Sequence, residues 1–487
     1  MVPIPMSGLT GKALSTMNGG RDMNKKLTFT IFGGTGDLTF RKLLPALYNM
    51  SVSSKTESVG QVIIIGRRDY TSEQYRMIAR DWVEKFARLP YTEQDYDRLA
   101  AGIFYYKMDF TDEEAYAQLN AFYKEMEAGS HIFYFAVAPR FFSSIVTGLV
   151  HVEHACRGKV VLEKPFGENL AAAKELNEKM EHFFHPDHIY RIDHYLGKEM
   201  VRNIQTIRFA NPIFSGVWDA EHIECIQISA LEEVGVETRG GYYDHSGAMK
   251  DMVQNHLFQI LSIVAMEQPG ELMLAGEEMH REQIRVLSSL HTPENIEDSL
   301  VLGQYRGYRE EKAVAEDSVT ETYAALKVFL DNDRWRGMPF YIRTGKKLGH
   351  REMQVLVVFK SAAPQVESNI LNIKIQPTEG VYLQFNIKKP GEEDEIAQAK
   401  MDFCQSCSFI NQMNTPEAYE RLLGACVRGE RFWFSQWDQI EASWKYVDDI
   451  RKRYHEKNLP VYEYEPGTYG PGAAEKMLEM SGDFWLD

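Results

Sequence analysis

Cysteine is scarce here: the chain of 487 residues contains 5. So few, and an odd number, make no disulfide scaffold and fit a reducing compartment. Long apolar runs are absent too. The longest, such as Ile132–Ala138, are strand-sized, well short of the roughly 20 residues that a membrane span requires. Basic residues are in deficit, 54 against 70 acidic, for a formal net charge of −16. No sustained basic stripe exists, which argues against a nucleic-acid partner. An anionic substrate would have to be drawn in by a local basic pocket working against the overall field. Internal repeats and low-complexity linkers are missing as well. Residues 1–23, rich in Gly, Ser, Thr and Met, lack the charged start and apolar core of a signal peptide and read as a disordered leader. What remains is plentiful apolar material, 44% of residues, enough for two large domains or three average ones. The chain reads as a cytoplasmic, multi-domain globular protein.

From Leu27 the pattern alternates strand and helix. Strands are expected at Leu27–Phe32, Val62–Ile65, Tyr105–Met108, Ile132–Ala136 and Val160–Glu163. Helices are expected at Leu38–Met50, from a Thr71/Gln74 capping box through Leu89, at Ala115–Met126 and over Asn169–Phe184. This is the rhythm of a doubly wound, Rossmann-like α/β domain, assigned to residues 24–193. After about Tyr190 the rhythm changes. A helix from Asp251 to Met266 is apolar nearly all round and so buried. Strand-like stretches follow without crossover helices, at Glu224–Ala230, Glu321–Phe329, Gln354–Phe359, Ile370–Ile375 and Val381–Ile387. They predict an α+β second domain, residues 194–487, with a large, mostly antiparallel sheet. Helical segments return from Pro416 to Tyr454.

The first strand runs into Gly33-Gly34-Thr35-Gly36-Asp37-Leu38, where glycines would let a pyrophosphate approach the backbone and a helix N-terminus. Thr39 stands where the usual third glycine belongs, and a tight turn without ligand satisfies the same pattern. Pro45 inside the following helix has no explanation in the sequence. The second strand closes with Gly66-Arg67-Arg68-Asp69. Two arginines ahead of any acid favour a 2′-phosphate, hence NADP, while Asp69 leaves room for NAD. Cys404-Gln405-Ser406-Cys407 has no second pair to complete a metal site. If 401–409 is a strand, these two side chains point to opposite faces and are structural.

Five motifs make a family resemblance specific. Gly33–Leu38 followed by Arg41-Lys42-Leu43-Leu44-Pro45-Ala46-Leu47 resembles the coenzyme fingerprint of the glucose-6-phosphate dehydrogenase family. Glu163-Lys164-Pro165-Phe166-Gly167 resembles its E-K-P motif, which other sugar oxidoreductases share. Arg191-Ile192-Asp193-His194-Tyr195-Leu196-Gly197-Lys198-Glu199 matches its active-site signature throughout. Asp251-Met252-Val253-Gln254-Asn255-His256 resembles the catalytic-base segment, and Arg343-Thr344-Gly345-Lys346 a later substrate loop. The motifs occur in family order from about residue 27 to the end.

The resemblance implies oxidation of glucose 6-phosphate to the 6-phosphogluconolactone. It implies His256 as general base, oriented by Asp193, with no metal needed. His194, Tyr195 and Lys198 would hold the 6-phosphate; if Asp193 starts a helix, they share one surface. Lys164 would lie between sugar and nicotinamide. Glu232 and Asp251 would accept from sugar hydroxyls, with Lys346 and Arg351 as further basic contacts. Gly33, Gly34, Thr35, Gly36, Asp37, Leu38, Arg67, Arg68, Pro139 and Lys164 would bind the coenzyme. Pairing of the large sheets would give a homodimer or a dimer of dimers. Two alternatives stay open: another sugar dehydrogenase with the E-K-P motif, and a catalytically silent sugar-phosphate binder.

Overall fold

The computed structural model describes residues 27–53, 60–270, 276–292, 294–391, 394–407, 411 and 414–486. The expected leader, residues 1–23, lies outside them. Among the described residues the strands form two sheets.

The first sheet is parallel throughout. It comprises β1 (Leu27–Phe32), β2 (Gln61–Gly66), β3 (Ile103–Lys107), β4 (Ser130–Phe135), β5 (Lys159–Leu162) and β6 (Ile189–Arg191). Their order is β3-β2-β1-β4-β5-β6. Helices cover both faces, so a strand such as β2, buried at all six positions, has no polar side. Strand order reverses between β1 and β4. That reversal opens a crevice beyond their carboxyl ends, where dinucleotides bind in this architecture.

The first crossover begins as a π-helical turn, Thr39–Leu43, and continues as α1 (Leu44–Val52). This accounts for Pro45. In a regular helix its ring would collide with the carbonyl four residues back, on Arg41, and the wider turn falls there. The Thr71/Gln74 capping box is present in full ahead of α2 (Ser72–Phe86). The helix stops short of Leu89 because Ala87 turns extended. After β5, α3 (Leu170–Phe183) is capped by the Asn169 side chain.

Residues 193–198 are not the start of a helix. They form turns, and α4 begins only at Glu199 (Glu199–Phe209). The Asp193 carboxylate takes the Tyr195 N–H at 2.9 Å, and the Lys198 N–H bonds back to Tyr195 O at 3.0 Å. The expected continuous helix 251–266 is likewise two pieces, a π-helical Met249–Leu257 and then α5 (Phe258–Ala265).

The second sheet holds ten strands: β7 (Ile223–Leu231), β8 (Leu290–His291), β9 (Leu300–Tyr305), β10 (Tyr323–Leu330), β11 (Phe340–Gly345), β12 (Glu352–Phe359), β13 (Ile370–Gln376), β14 (Gly380–Lys388), β15 (Ile396–Cys404) and β16 (Val461–Tyr464). The order is β15-β14-β13-β12-β7-β11-β10-β9-β16, with β8 paired to β10. It is antiparallel apart from β7–β11 and β9–β16. Strand β15 ends at Cys404, and the chain turns there, so Cys407 folds back and closes a disulfide with Cys404. This corrects the expectation of opposed side chains, which assumed that the strand continued to 409.

Two helices follow, α6 (Ala418–Arg428) and α7 (Trp437–Glu456). The first returns to the parallel sheet. Its Leu422, Leu423, Ala425 and Cys426 share a core with Ile31, Leu43, Leu47 and Ile64. Beside them the buried Glu420 accepts from Arg88 Nε and Nη2, at 2.9 and 2.8 Å, and from Asn49 Nδ2 at 2.9 Å. Glu420→Ala removes the carboxylate that pairs with the mostly buried Arg88, and removing one member of such a pair costs about 3–5 kcal/mol. The denaturation midpoint should fall accordingly. An unchanged midpoint would mean that α6 docks through its apolar face alone.

Candidate active site

Three polypeptide segments meet at one buried point. The turn after β6 carries Asp193, the loop after β5 carries Lys164, and the π-helical segment carries Asp251 and His256. His256 Nδ1 donates to Asp193 Oδ1 at 2.6 Å, which leaves Nε2 as an acceptor. Lys164 Nζ donates to that Nε2 at 2.8 Å and to Asp251 Oδ1 at 3.2 Å. The π turn matters here. In an α-helix, positions five apart point about 140° away from each other; i→i+5 bonding swings Asp251 and His256 toward one side. Both then reach the same ammonium.

Burial pushes His256 below its ordinary pKa, with Asp193 opposing and Lys164 adding to the shift. The imidazole is therefore neutral at neutral pH. Burial alone would raise Asp193, but facing His256 and the Tyr195 N–H keep it below its usual value. Asp251 is held down likewise: Lys164, Lys346 and Arg239 outweigh its burial. The Asp193, His194 and His256 donor atoms lie within 4.8 Å of one another, a spacing that could hold a metal ion. The Lys164 ammonium on His256 Nε2 already supplies positive charge there, and the donor set suits a lysine-stabilised oxyanion better than a metal.

The 194–198 turn gathers the next group. The Tyr195 ring centroid lies 4.2 Å from that of His256, and the His194 ring 4.8 Å from it. Lys198 Nζ sits 5.0 Å from the Tyr195 ring centroid and donates to Gln376 Oε1 at the end of β13. Burial lowers Lys198 to about 8, with Glu379 opposing and Arg351 contributing. Arg351 itself is exposed, just ahead of β12. Glu232 and Lys346 follow the adjacent ends of β7 and β11 and form an ion pair. Residues that the sequence did not single out also line up here. Gln376 meets Lys198, Tyr242 donates to Asp251 at 3.2 Å, and the Tyr134 and Tyr419 hydroxyls close on Glu163 beside Lys164. No motif marks them, since each is defined by a partner distant in the chain.

The crevice of the parallel sheet adjoins this point through Lys164. Gly33 has φ +85°, and a Cβ there would come within 2.3 Å of Ala136 O; a Cβ on Gly34 would collide with Ile64. Both glycines are thus demanded by packing against the sheet. Thr39 replaces the third glycine by donating its hydroxyl to Gly33 O at 3.2 Å. At the end of β2, Arg67, Arg68 and Asp69 are all exposed; Arg67 lies 4.0 Å from Asp109, Arg68 donates to the Tyr70 hydroxyl at 3.3 Å, and Asp69 pairs with Lys107 at 3.0 Å. Pro139 opens the turn after β4, and its peptide bond is trans; the cis bonds among the described residues precede Pro165 and Pro377.

With this arrangement in view, two family models account for nearly the whole chain. The NAD-binding domain of glucose-6-phosphate dehydrogenase matches residues 30–203 and the C-terminal domain of that enzyme residues 205–486. This chain belongs to the glucose-6-phosphate dehydrogenase family. The glucose-6-phosphate 1-dehydrogenase of Bacillus subtilis is 36% identical over 94% of this chain and 98% of its own length. That of Streptococcus pneumoniae is 38% identical over 95% and 97%. The Mycobacterium avium enzyme structure superposes with a TM-score of 0.81 at 32% identity, over 95% of this chain and 99% of that one. A glucose-6-phosphate dehydrogenase solved with its substrate gives 0.86 at 30%, with the same coverage. A levoglucosan dehydrogenase, at 9% identity and 0.50, shares the fold alone.

The two titrating groups make the pH profile of kcat/KM a test of the geometry. If His256 is a base it must be neutral to accept a proton, and activity should be lost as pH falls through a pKa below the ordinary imidazole value. If Lys198 anchors an anion it must be charged, and activity should be lost again above about 8. Lys198→Arg should remove the alkaline limb only. An alkaline limb that survives in Lys198→Arg would assign it to another group.

Proposed function

We propose that this protein is an NADP-dependent glucose-6-phosphate 1-dehydrogenase. It oxidises D-glucose 6-phosphate to 6-phospho-D-glucono-1,5-lactone, the first step of the oxidative pentose phosphate pathway. The observation that carries the reading is the buried His256–Asp193 pair, with its free nitrogen facing Lys164 beside the Lys198 cluster. Oxidation at C1 removes the hydroxyl proton while a hydride leaves the same carbon. His256 Nε2 takes the proton, and Asp193 holds the tautomer and stabilises the imidazolium that results. The sugar hydroxyl displaces the Lys164 ammonium from Nε2. The ammonium then lies beside the oxygen as negative charge develops on it. Asp251, Glu232 and Lys346 orient the sugar hydroxyls, and His194, Tyr195, Lys198 and Arg351 hold the phosphate. NADP, when bound, supplies the hydride acceptor; Gly33, Gly34, Thr35, Gly36, Asp37, Leu38 and Pro139 shape its crevice, and Arg67 and Arg68 meet its 2′-phosphate.

Residues 24–193 serve the coenzyme and 194–487 the substrate in this reading, in the cytoplasm. The chain works as a homodimer. On β14 and β15, Val381, Leu383, Phe385 and Ile387 lie opposite Phe403, Met401, Ala399 and Ala397, making one apolar face. Met401 and Phe403 on it are 56% and 55% exposed. A second copy covering that face is the economical way to remove it from water. A monomer mass by light scattering would overturn this part.

The decisive experiment is reduced-nicotinamide absorbance with glucose 6-phosphate and glucose, using each coenzyme. Turnover of glucose but not its phosphate would favour the other sugar dehydrogenases, and no turnover a silent binder. His256→Asn should keep substrate affinity and lose about 10²- to 10⁴-fold in kcat. Lys198→Ala should chiefly raise KM. Near-normal kcat in His256→Asn would place the base elsewhere. For the coenzyme, Arg67→Ala should weaken NADP by about 1.5–3 kcal/mol, as expected for a hydrogen bond to a charged group, and NAD far less. Equal losses would transfer the role to Arg68.

A further inference from the structure

The Asp193 carboxylate is satisfied at one oxygen. Oδ1 accepts both the His256 Nδ1–H and the Tyr195 N–H, at 2.6 and 2.9 Å. Oδ2 is buried and, among the described residues, has no hydrogen-bond partner. The cations around the pair are committed elsewhere: Lys164 bonds to His256 and Asp251, and the Arg191 guanidinium donates to Asn177. A buried carboxylate oxygen left bare is costly, so this end of the pair calls for a donor.

A cavity of about 20 Å³ adjoins it, lined in part by Asp193, His256, Gln254, Gln259 and Ser435. Of the residues proposed to hold the sugar and its phosphate, Lys164 alone borders this space. It thus lies behind the pair, between the end of β6, the π-helical segment and the approach to α7. Gln254 and Gln259 are each 2% exposed, and the side-chain oxygen of each also lacks a partner among the described residues. Gln259 is held firmly from behind. Its carbonyl takes the Ser262 hydroxyl at 2.7 Å, Gln283 donates to that hydroxyl at 3.1 Å, and Gln439 of α7 donates to Gln283 at 3.0 Å. Three unpartnered acceptors border one space, and roughly 10–15 Å³ is enough for a water.

We propose that this cavity binds a single water that donates to Asp193 Oδ2 and is held by Gln254 and Gln259, which makes both glutamines positioning residues for the base. The inference rests on the reading of His256 as that base. One hydrogen of the water goes to Oδ2 and the other to an amide oxygen; the second amide, turned about, gives its N–H to a lone pair of the water. With Oδ2 occupied, the carboxylate is fixed in the plane that meets Nδ1, and its charge is shared with a donor instead of drawing the Nδ1 proton across. Neither glutamine touches substrate; each acts through the water and Asp193.

A crystal structure of the full-length protein, at a resolution that shows ordered water, tests the site directly. A water within hydrogen-bond distance of Asp193 Oδ2 and of a glutamine amide is expected. An empty cavity, or an amide bonded straight to Oδ2, overturns it. Gln259→Met and Gln254→Met keep the length of the side chain and remove its polar end. Losing the water's donor strengthens the pull of Asp193 on the imidazolium, so the His256 pKa, read by imidazole NMR, should rise. The acid limb of kcat/KM should move to higher pH with it, by about 0.3–1 pH unit. In the same variants kcat should fall about 3- to 10-fold as orientation is lost, with KM for glucose 6-phosphate changing less than about 2-fold. A fall in kcat with His256 titrating as before overturns the positioning role, because general loosening of the fold would do as much. No turnover by the unaltered protein would instead fault the reading of the activity, and the crystal and NMR measurements would still decide the water site.

Discussion

The hydrogen bond from His256 Nδ1 to Asp193 Oδ1 joins residues 63 positions apart and lies wholly out of water. A buried carboxylate is costly unless it is paired, and a buried imidazole is useful as a base only if its proton is held at one nitrogen. Each residue meets the other's requirement. The rest of the site follows from this constraint. The turn after β6 places Asp193, whose carboxylate also takes the Tyr195 N–H. The segment with His256 must be wound as a π-helix, so that Asp251 reaches the same ammonium as the imidazole.

Charge is organised on two scales. The chain as a whole carries −16, which repels a phosphate ester, while Lys164, Lys198, Lys346 and Arg351 concentrate positive charge at one place. Burying lysines is expensive, and the fold offsets it with acids placed nearby: Asp251 for Lys164, Glu232 for Lys346 and, through its charge, Glu379 for Lys198. Glu379 limits how far Lys198 is depressed. Lys198, lowered only to about 8, stays mostly charged at neutral pH and can gain from an incoming dianion.

Much of this was legible in the residues. Apolar β-branched runs marked the parallel strands, since a sheet covered on both faces tolerates little else, and the Thr71/Gln74 spacing marked a helix start that is present. The family resemblance located the segments that converge on His256. What escaped depended on partners distant in sequence or on local winding. Helical spacing suggested a continuous 251–266 helix, because an α-helix and a π-helix share composition and differ only in hydrogen-bond register. The 193–198 helix failed because the segment closes as successive turns, with the Leu196 N–H on Asp193 O and the Lys198 N–H on Tyr195 O, and the helix starts only at Glu199. Cys407 turned back toward Cys404 because β15 ends there, and no propensity in the sequence marks that end.

Lys164 stands on one short loop after β5, bonded to His256 and Asp251, and its neighbour shows how the loop is held. Glu163 is half-buried, and desolvation raises its pKa even though the hydroxyls of Tyr134 and Tyr419 bond to it. Tyr134 lies on β4 of the parallel sheet, and Tyr419 on α6, which arrives after all ten strands of the second sheet except β16. The carboxyl is thus clamped between a strand formed early in the sequence and a helix formed late. The loop is thereby tied to α6, which docks through Glu420, Arg88 and the shared apolar core. Geometry at the reacting centre is in this way tied to docking of the C-terminal helices, which explains why a helix far from the sugar site belongs to the same core as the glycine-rich turn.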